Sequence, residues 1–91
     1  MMADIQLKDG MEDDFKTLFS ESNKILSSFP GFVSRRFLKS IDGSYRIIVE
    51  HETKETFMTM IQSPEHQEFH PKLHSLMSVE PVKKLFTVSA E

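Results

Sequence analysis

The residues of this chain best suited to chemistry are three histidines spaced four apart, His66, His70 and His74. On an unbroken helix this spacing places all three on one side, and two histidines four residues apart can bind a transition metal. Pro71 interrupts the predicted helix between His70 and His74, and no carboxylate is obviously placed as a third ligand. Because a closed metal site needs more ligands, the pattern favours two exposed histidines and one packed beside Phe69.

Polar residues on two adjacent predicted strands form a second candidate group. In the register that the hairpin turn predicts, Ser34 and Arg36 share one sheet face with His51. An arginine on an otherwise apolar face needs an acceptor, because an unpaired buried charge is very costly. That acceptor is an anionic or quinone-like ligand, or a structural partner such as Glu65 or Glu68. We therefore expect Arg36 and His51 to face the space between the sheet and the helices.

Apolar side chains of the second helical region could enclose a ligand. Phe57, Met60 and Phe69 are of the types that line cavities for flat aromatic molecules. Phe and Met at helical spacing are equally typical of an ordinary core. The predicted substrate-contacting set is Ser34, Tyr45, Phe57, Met60 and Phe69.

Two helical regions are needed to position these residues. The first has apolar residues at helical spacing, with Ser22 as the single polar residue of the stripe, and it ends at Pro30-Gly31. The second begins at Thr53 as N-cap and restarts at Ser63-Pro64. Pro71 is expected to bend or split this second region just after His70, since proline lacks the N–H that a helix needs.

Strands are predicted at residues 5–7, 32–41, 44–52 and 82–88. Asp42-Gly43 predicts a two-residue hairpin, because both central positions of that turn need positive φ. The turn fixes the register, which puts Phe37 opposite Ile48 and Arg35 opposite Glu50.

The order β-α-β-β-α-β is that of the split βαβ arrangement, an α+β ferredoxin-like sandwich with a four-stranded antiparallel sheet. The face with Tyr45, Ile47 and Val49 is the more continuously apolar and is expected to meet the helices. The opposite face would keep Phe37 and Ile48 among charges, and this much apolar area on a sheet suggests a partner. A homodimer is the expected assembly.

Composition sets limits on the class of protein. Ninety-one residues make a single domain over residues 1–91, with a modest core that pairing with a second copy would enlarge. The chain has no cysteine, no apolar run long enough to span a membrane and no evident signal peptide, which fits a cytoplasmic protein. A net charge of −3 without a basic cluster disfavours nucleic-acid binding.

Four segments carry a resemblance to a known family: residues 29–33 (Phe-Pro-Gly-Phe-Val), the Asp42-Gly43 turn, residues 50–53 (Glu-His-Glu-Thr) and residues 63–70 (Ser-Pro-Glu-His-Gln-Glu-Phe-His). In this order they resemble the antibiotic biosynthesis monooxygenase family, over nearly the whole chain. The resemblance implies small ferredoxin-like domains that pair as dimeric α+β barrels. It also implies cofactor-free oxygenases that deprotonate a phenolic polyketide, so that the carbanion reduces oxygen directly.

One branch of the family degrades haem, and its iron ligand matches His70. That branch also implies a Trp on the second helix and an Asn on the first strand, where this chain has Met60 and Ala3. Both departures count against haem degradation by that mechanism, while haem binding through His70 stays open as an alternative.

Three hypotheses follow from the sequence. The first is a cofactor-independent monooxygenase acting on an aromatic or quinone-like substrate, with His70 or His51 as base and Arg36 stabilising the developing oxyanion. The second is a haem-binding domain with His70 as axial ligand. The third is a non-catalytic dimeric ligand-binding barrel, which a cavity too small for any aromatic ring would favour.

Overall fold

Four antiparallel strands form one sheet, and three helices lie against one of its faces. The computed structural model describes all residues from Met1 to Glu91. The elements are β1 (Met2–Ile5), α1 (Glu12–Leu26), β2 (Phe32–Lys39), β3 (Tyr45–His51), α2 (Lys54–Ile61), α3 (Pro64–Ser75) and β4 (Val82–Lys84). The strand order β2-β3-β1-β4 places β1 and β3 at the centre. The predicted α+β ferredoxin-like fold with a four-stranded antiparallel sheet is confirmed.

The second helical region consists of two helices, and each begins directly after a predicted N-cap residue. The hydroxyl of Thr53 accepts a hydrogen bond from the backbone N–H of Thr56 at 3.1 Å. The hydroxyl of Ser63 accepts one from the backbone N–H of His66 at 3.2 Å, and Pro64 occupies the first turn of α3. These caps satisfy backbone donors that have no partner inside the helix.

Of the two predicted effects of Pro71, a bend or a split of the helix after His70, the split does not occur. The helix continues to Ser75 with Pro71 inside it. Proline removes one N–H from the helical ladder, and the turns on either side remain hydrogen-bonded. His66, His70 and His74 consequently lie on one continuous helix.

The hairpin between β2 and β3 has one residue more than predicted. The backbone N–H of Ser40 donates to the carbonyl of Ser44 at 2.8 Å, and that of Gly43 donates to the carbonyl of Ser40 at 3.0 Å. Gly43 has a φ of 89°, whereas Asp42 does not have positive φ. This is the pattern of a type I turn followed by a left-handed glycine. The Asp42 carboxylate stabilises the loop by accepting hydrogen bonds from the N–H and the hydroxyl of Ser44.

The longer loop shifts the register by one residue and exchanges the two faces of β2. Phe37 lies opposite Ile47, not opposite Ile48 as predicted. Successive side chains of a strand point to opposite faces, so Arg35 and Phe37 face the helices and Arg36 faces away from them. The predicted register was therefore wrong, and with it the placement of Arg36 on the helix-facing side.

The core is filled with aromatic rings beside α1. Phe15 is fully buried, and its ring centroid lies 4.8 Å from that of Phe37 and 6.0 Å from that of Phe19. Tyr45 stacks on Phe37 at 5.4 Å. These four residues are called the aromatic cluster below. Ile47 and Val49 continue the buried face along β3, which confirms that this face meets the helices.

The last strand is shorter than the predicted 82–88, because β4 pairs only with β1 and their register ends with Lys84 opposite Met2. Residues 85–91 have no regular secondary structure. Leu85, Phe86 and Val88 are exposed in this segment. None of the three helices combines the length and the apolar character that a membrane span requires.

Candidate functional site

A cavity of about 60 Å³ lies between the sheet and helices α2 and α3. Most of its wall is apolar, formed among others by Ala3, Val49, Phe57, Met60, Phe69 and Leu73. Phe57, Met60 and Phe69, three of the predicted substrate-contacting residues, are thus brought together on this wall. The polar part of the lining consists of three histidines, Arg35 and Lys83. No aspartate or glutamate lines the cavity.

The three histidines of α3 form a row along the cavity, called the histidine row below. The ring centroids of His66 and His70 are 5.5 Å apart, and those of His70 and His74 are 3.9 Å apart. At the outer part of the row, Nε2 of His70 lies 3.4 Å from Nζ of Lys83 on β4. Nδ1 of His74 lies 3.7 Å from a carboxylate oxygen of Glu80. The continuous helix across Pro71 is what brings these rings together.

Burial lowers the pKa of each histidine in the row, because a charged imidazolium loses hydration there. For His66 the pKa falls to about 4, with further contributions from His70, Arg35, Lys83 and His74. The row is therefore neutral at pH 7, and neutral imidazoles can accept a proton. Nδ1 of His66 is buried and has no hydrogen-bond partner within the chain.

Arg35 is the buried arginine of this fold, with 8% of its surface exposed. Its Nη1 donates hydrogen bonds to Oγ of Ser22 at 2.6 Å and to Oδ1 of Asn23 at 2.7 Å. The guanidinium carbon also lies 4.1 Å from the ring centroid of Phe19, a cation–π distance. Burial lowers the pKa of Arg35 to about 10, so the side chain stays charged at neutral pH. No carboxylate pairs with it.

The sequence contained a signal for this arrangement. Ser22 is the single polar residue on the apolar stripe of α1, and it is fully buried. Its hydroxyl donates to the carbonyl of Phe19 and accepts a hydrogen bond from Arg35, so the polar residue on this stripe marks where a polar side chain of the sheet packs. The one-residue error in the hairpin register concealed the pairing, because it assigned the helix-facing position to Arg36.

His51 faces α2, as predicted, but both of its ring nitrogens already have neighbours. Nδ1 lies 3.2 Å from Oγ1 of Thr56, and Nε2 lies 3.2 Å from Sδ of Met60. The ring packs edge-on against Phe32 and Phe57. Burial lowers its pKa as well. These contacts fix the junction between β3 and α2.

His51 does not line the cavity, and neither do the three remaining predicted site residues. Arg36 is exposed on the opposite face of the sheet, where its Nη2 lies 3.7 Å from a carboxylate oxygen of Glu50. Ser34 pairs with Glu50 across the hairpin and does not line the cavity. Tyr45 belongs to the aromatic cluster, and its hydroxyl donates to Oε1 of Glu12 at 2.6 Å. The structure therefore separates these three from the histidine row.

The residues of the cavity do not fit haem. Nε2 of His70, the atom that would bind iron, lies 3.4 Å from the ammonium of Lys83, and a second cation there is unfavourable for a metal ligand. A cavity of about 60 Å³ is also far smaller than a porphyrin. No group of three or more histidine, aspartate or glutamate side chains is arranged to hold a metal ion.

The fold and the cavity define a small ferredoxin-like α+β domain with a hollow of about 60 Å³ between its sheet and helices. A model of the antibiotic biosynthesis monooxygenase family matches residues 1–72. The chain therefore belongs to the antibiotic biosynthesis monooxygenase family, as the sequence resemblance predicted.

The chain is also similar to individual proteins. An uncharacterised protein of Bacillus subtilis (strain 168), YczJ, is 28% identical in an alignment of 87 residues that covers 92% of each chain. A conserved protein from Methanosarcina mazei Go1 superimposes with a TM-score of 0.82 at 16% identity, over 89% of this chain and 82% of that one. SnoaB, a cofactor-independent oxygenase from Streptomyces nogalater, superimposes with a TM-score of 0.76 at 19% identity, over 98% and 94% of the two chains. At these identities the two structures show the fold alone.

Proposed function

We propose that this protein is a cofactor-independent monooxygenase that acts on an aromatic or quinone-forming substrate in the cavity between the sheet and helices α2 and α3. The observation that carries the proposal is the combination of an apolar wall with a row of neutral imidazoles in one cavity. The family assignment and the fold shared with SnoaB support the same reaction class.

The proposed chemistry needs a base and a dry pocket. His70 accepts the proton of a phenolic hydroxyl, and the electron-rich anion that remains reacts with molecular oxygen at an activated ring carbon. Overall, a CH₂ group of the substrate and O₂ become a carbonyl group and water, so the substrate supplies the electrons. His70 suits the role of base because its lowered pKa keeps it neutral at pH 7.

The walls must move before a ring can enter. The cavity measures about 60 Å³, whereas an engineered cavity that binds benzene measures about 150 Å³. Met60 and Met77 line the cavity and have flexible, unbranched side chains that can change rotamer. The edge beside β4 is the natural place for opening, because that strand has only three residues.

The test is oxygen uptake with dithranol, a hydroxyanthrone that carries such a CH₂ group, measured above its spontaneous autoxidation. We expect His70→Ala to lower the protein-dependent rate by about 100-fold or more, since a positioned base contributes about that much. Arg36→Ala is the matched control, because Arg36 is exposed on the opposite sheet face. Equal rates for wild type and His70→Ala would remove His70 from the mechanism.

A second candidate function is favoured by the cavity volume itself. A non-catalytic dimeric ligand-binding barrel does not have to admit an aromatic ring, so its cavity can be small. The observed volume of about 60 Å³ is consistent with that function. Its signature would be a dimer in solution that shows no protein-dependent oxygen uptake with dithranol.

The homodimer is proposed on the exposed apolar residues of the chain. Val33, Leu38, Val82 and Phe86 are between 40% and 63% exposed. An apolar surface of this kind is typical of an interface. Sedimentation equilibrium would show a dimer mass, and a monomer at all concentrations would contradict the proposal.

A further inference from the structure

The cavity wall carries positive charge without a counter-ion. Arg35 and Lys83 both line it, and neither a glutamate nor an aspartate does. Lys83 makes its closest polar contact with a neutral ring, Nε2 of His70. Arg35 is nine-tenths buried, and its hydrogen bonds within the chain go to neutral oxygens of Ser22 and Asn23.

Only one corner of the Arg35 guanidinium is used by the chain. Both of its hydrogen bonds start from Nη1, while Nε and Nη2 make none. A guanidinium has five N–H donors in a planar fork that suits an oxyanion. Arg35 has no carboxylate partner in the chain, so a bound anion at Nε and Nη2 would offset the cost of burying its charge.

His66 provides a second, independent observation at the same cavity. Its Nδ1 is buried without a partner, although buried polar atoms are nearly always hydrogen-bonded. Both His66 and Arg35 line the cavity, and the charge of Arg35 is near enough to contribute to the low proton affinity of His66. A neutral imidazole can carry its proton on Nδ1 and then donates a hydrogen bond from that atom.

We infer that Arg35 and His66 together form an oxyanion-binding site, and that the cavity takes its aromatic ligand as an anion. The ring would lie against the apolar wall of Met60 and Phe69, and its deprotonated oxygen would receive hydrogen bonds from Arg35 and from Nδ1 of His66. Arg35 is then the specificity-determining residue for charge. This rests on the cavity assigned under the proposed function, and it names the ionisation state of the ligand there.

The experiment uses para-nitrophenol, a single-ring phenol whose absorbance reports its own ionisation and which does not consume oxygen. Titrated with the full-length protein below the pKa of free nitrophenol, the phenolate band should increase. We expect the pKa of bound nitrophenol to fall by at least about one unit, which corresponds to about tenfold tighter binding of the anion. Para-nitroanisole, the neutral methyl ether, should bind at least about tenfold more weakly than the phenolate.

Variants identify the residues responsible. Arg35→Met should abolish the pKa shift of nitrophenol, whereas Arg35→Lys should retain part of it because the charge remains. His66→Phe should reduce the shift while keeping the ring volume. Arg36→Met removes the neighbouring arginine on the exposed face and should leave the shift unchanged. Thermal melts of each variant show that loss of the shift does not reflect unfolding.

Several outcomes would overturn the inference. They are no binding of nitrophenol at millimolar concentration, an unchanged pKa of the bound phenol, equal affinity for nitroanisole, or equal loss in Arg35→Met and Arg36→Met. Because nitrophenol binding involves no turnover, the result is independent of the oxygen-uptake assay. A pKa shift without any oxygenase activity would keep the anion site and remove the proposed monooxygenase.

Discussion

The helix-covered face of the sheet has two halves that differ in how tightly they are packed. Beside α1, the aromatic cluster fills the space with stacked rings, and Tyr45 at its edge has its hydroxyl bonded to Glu12. Beside α2 and α3, the chain leaves about 60 Å³ open and lines it with polar groups that lack full hydrogen bonding. One half is packed like an ordinary core, and the other is not.

The difference indicates where stability and function are concentrated. A well-packed aromatic core contributes mainly to folding. An unsatisfied buried polar group costs about 1–3 kcal/mol, so the free protein gains no stability from Nδ1 of His66. Violations of this kind are expected at binding sites.

The largest effect is expected in the aromatic half. Phe15→Ala should lower the free energy of unfolding by about 3–5 kcal/mol, because Phe15 is fully buried and contacts two other rings. Urea denaturation followed by circular dichroism measures this loss. Phe86→Ala is the control, since Phe86 is 60% exposed and should change stability by less than about 0.5 kcal/mol. Similar losses for the two variants would refute the assignment of Phe15 as a core residue.

The sequence predicted the fold correctly, but the assignment of residues to the two halves depended on the loop length of the β2–β3 hairpin. The helical stripe of α1, the caps at Thr53 and Ser63 and the alternation along β3 identified the fold, because each is a local pattern with a local cause. The Asp42-Gly43 dipeptide is compatible with both a two-residue and a three-residue loop. Choosing the shorter loop moved Arg35 and Phe37 to the wrong face.

The predicted hairpin register had two unfavourable features that argued against it. The predicted register left Phe37 among charges and set Lys39 opposite Arg46, two like charges across a strand pair. In the structure Lys39 pairs with Tyr45 and bonds to Glu12, and Phe37 joins the core. The cavity itself had no local signal, since its volume depends on how three elements pack together.

The next largest change in stability is expected at one of two glycines that have nearly the same backbone conformation. Gly31 and Gly43 have φ of 79° and 89°, and a side chain at either position meets backbone strain. A Cβ at Gly43 would touch nothing, whereas one at Gly31 would collide with the side chain of Thr56. We expect Gly43→Ala to cost about 1 kcal/mol of unfolding free energy and Gly31→Ala at least about twice that, by urea denaturation. Equal costs would mean that Thr56 moves aside freely.

The halves should also lose stability in different pH ranges. The folded pKa of His66, about 4, lies below its ordinary value of 6.5, so the unfolded chain binds the additional proton. The contribution of His66 to the free energy of unfolding is therefore fully present above pH 6.5 and declines as the pH falls toward 4. His70, His74, Arg35, Lys83 and Glu80 are the other charged or titratable groups around it.

In the aromatic half, Glu12 determines the pH range in which stability is lost. Hydrogen bonds from Lys39, Tyr45 and Lys16 lower its pKa from 4.5 to about 2, so its contribution is complete above pH 4.5 and is lost below that value. Unfolding free energies measured across both ranges should show His66→Phe flattening the upper slope and Glu12→Gln the lower one. If His66→Phe left the upper slope unchanged, the low pKa of His66 would be refuted.

The smallest change in stability is expected where the change in binding is greatest. Arg35→Met removes a buried charge that has no carboxylate partner and replaces it with an apolar side chain of similar length. Such replacements are often neutral or stabilising, so the unfolding free energy should stay within about 1 kcal/mol of wild type or rise. The hydroxyl of Ser22 still donates to the carbonyl of Phe19 after the substitution, which limits the loss. A loss as large as that of Phe15→Ala would mean that Arg35 belongs to the structural core and would erase the distinction between the two halves.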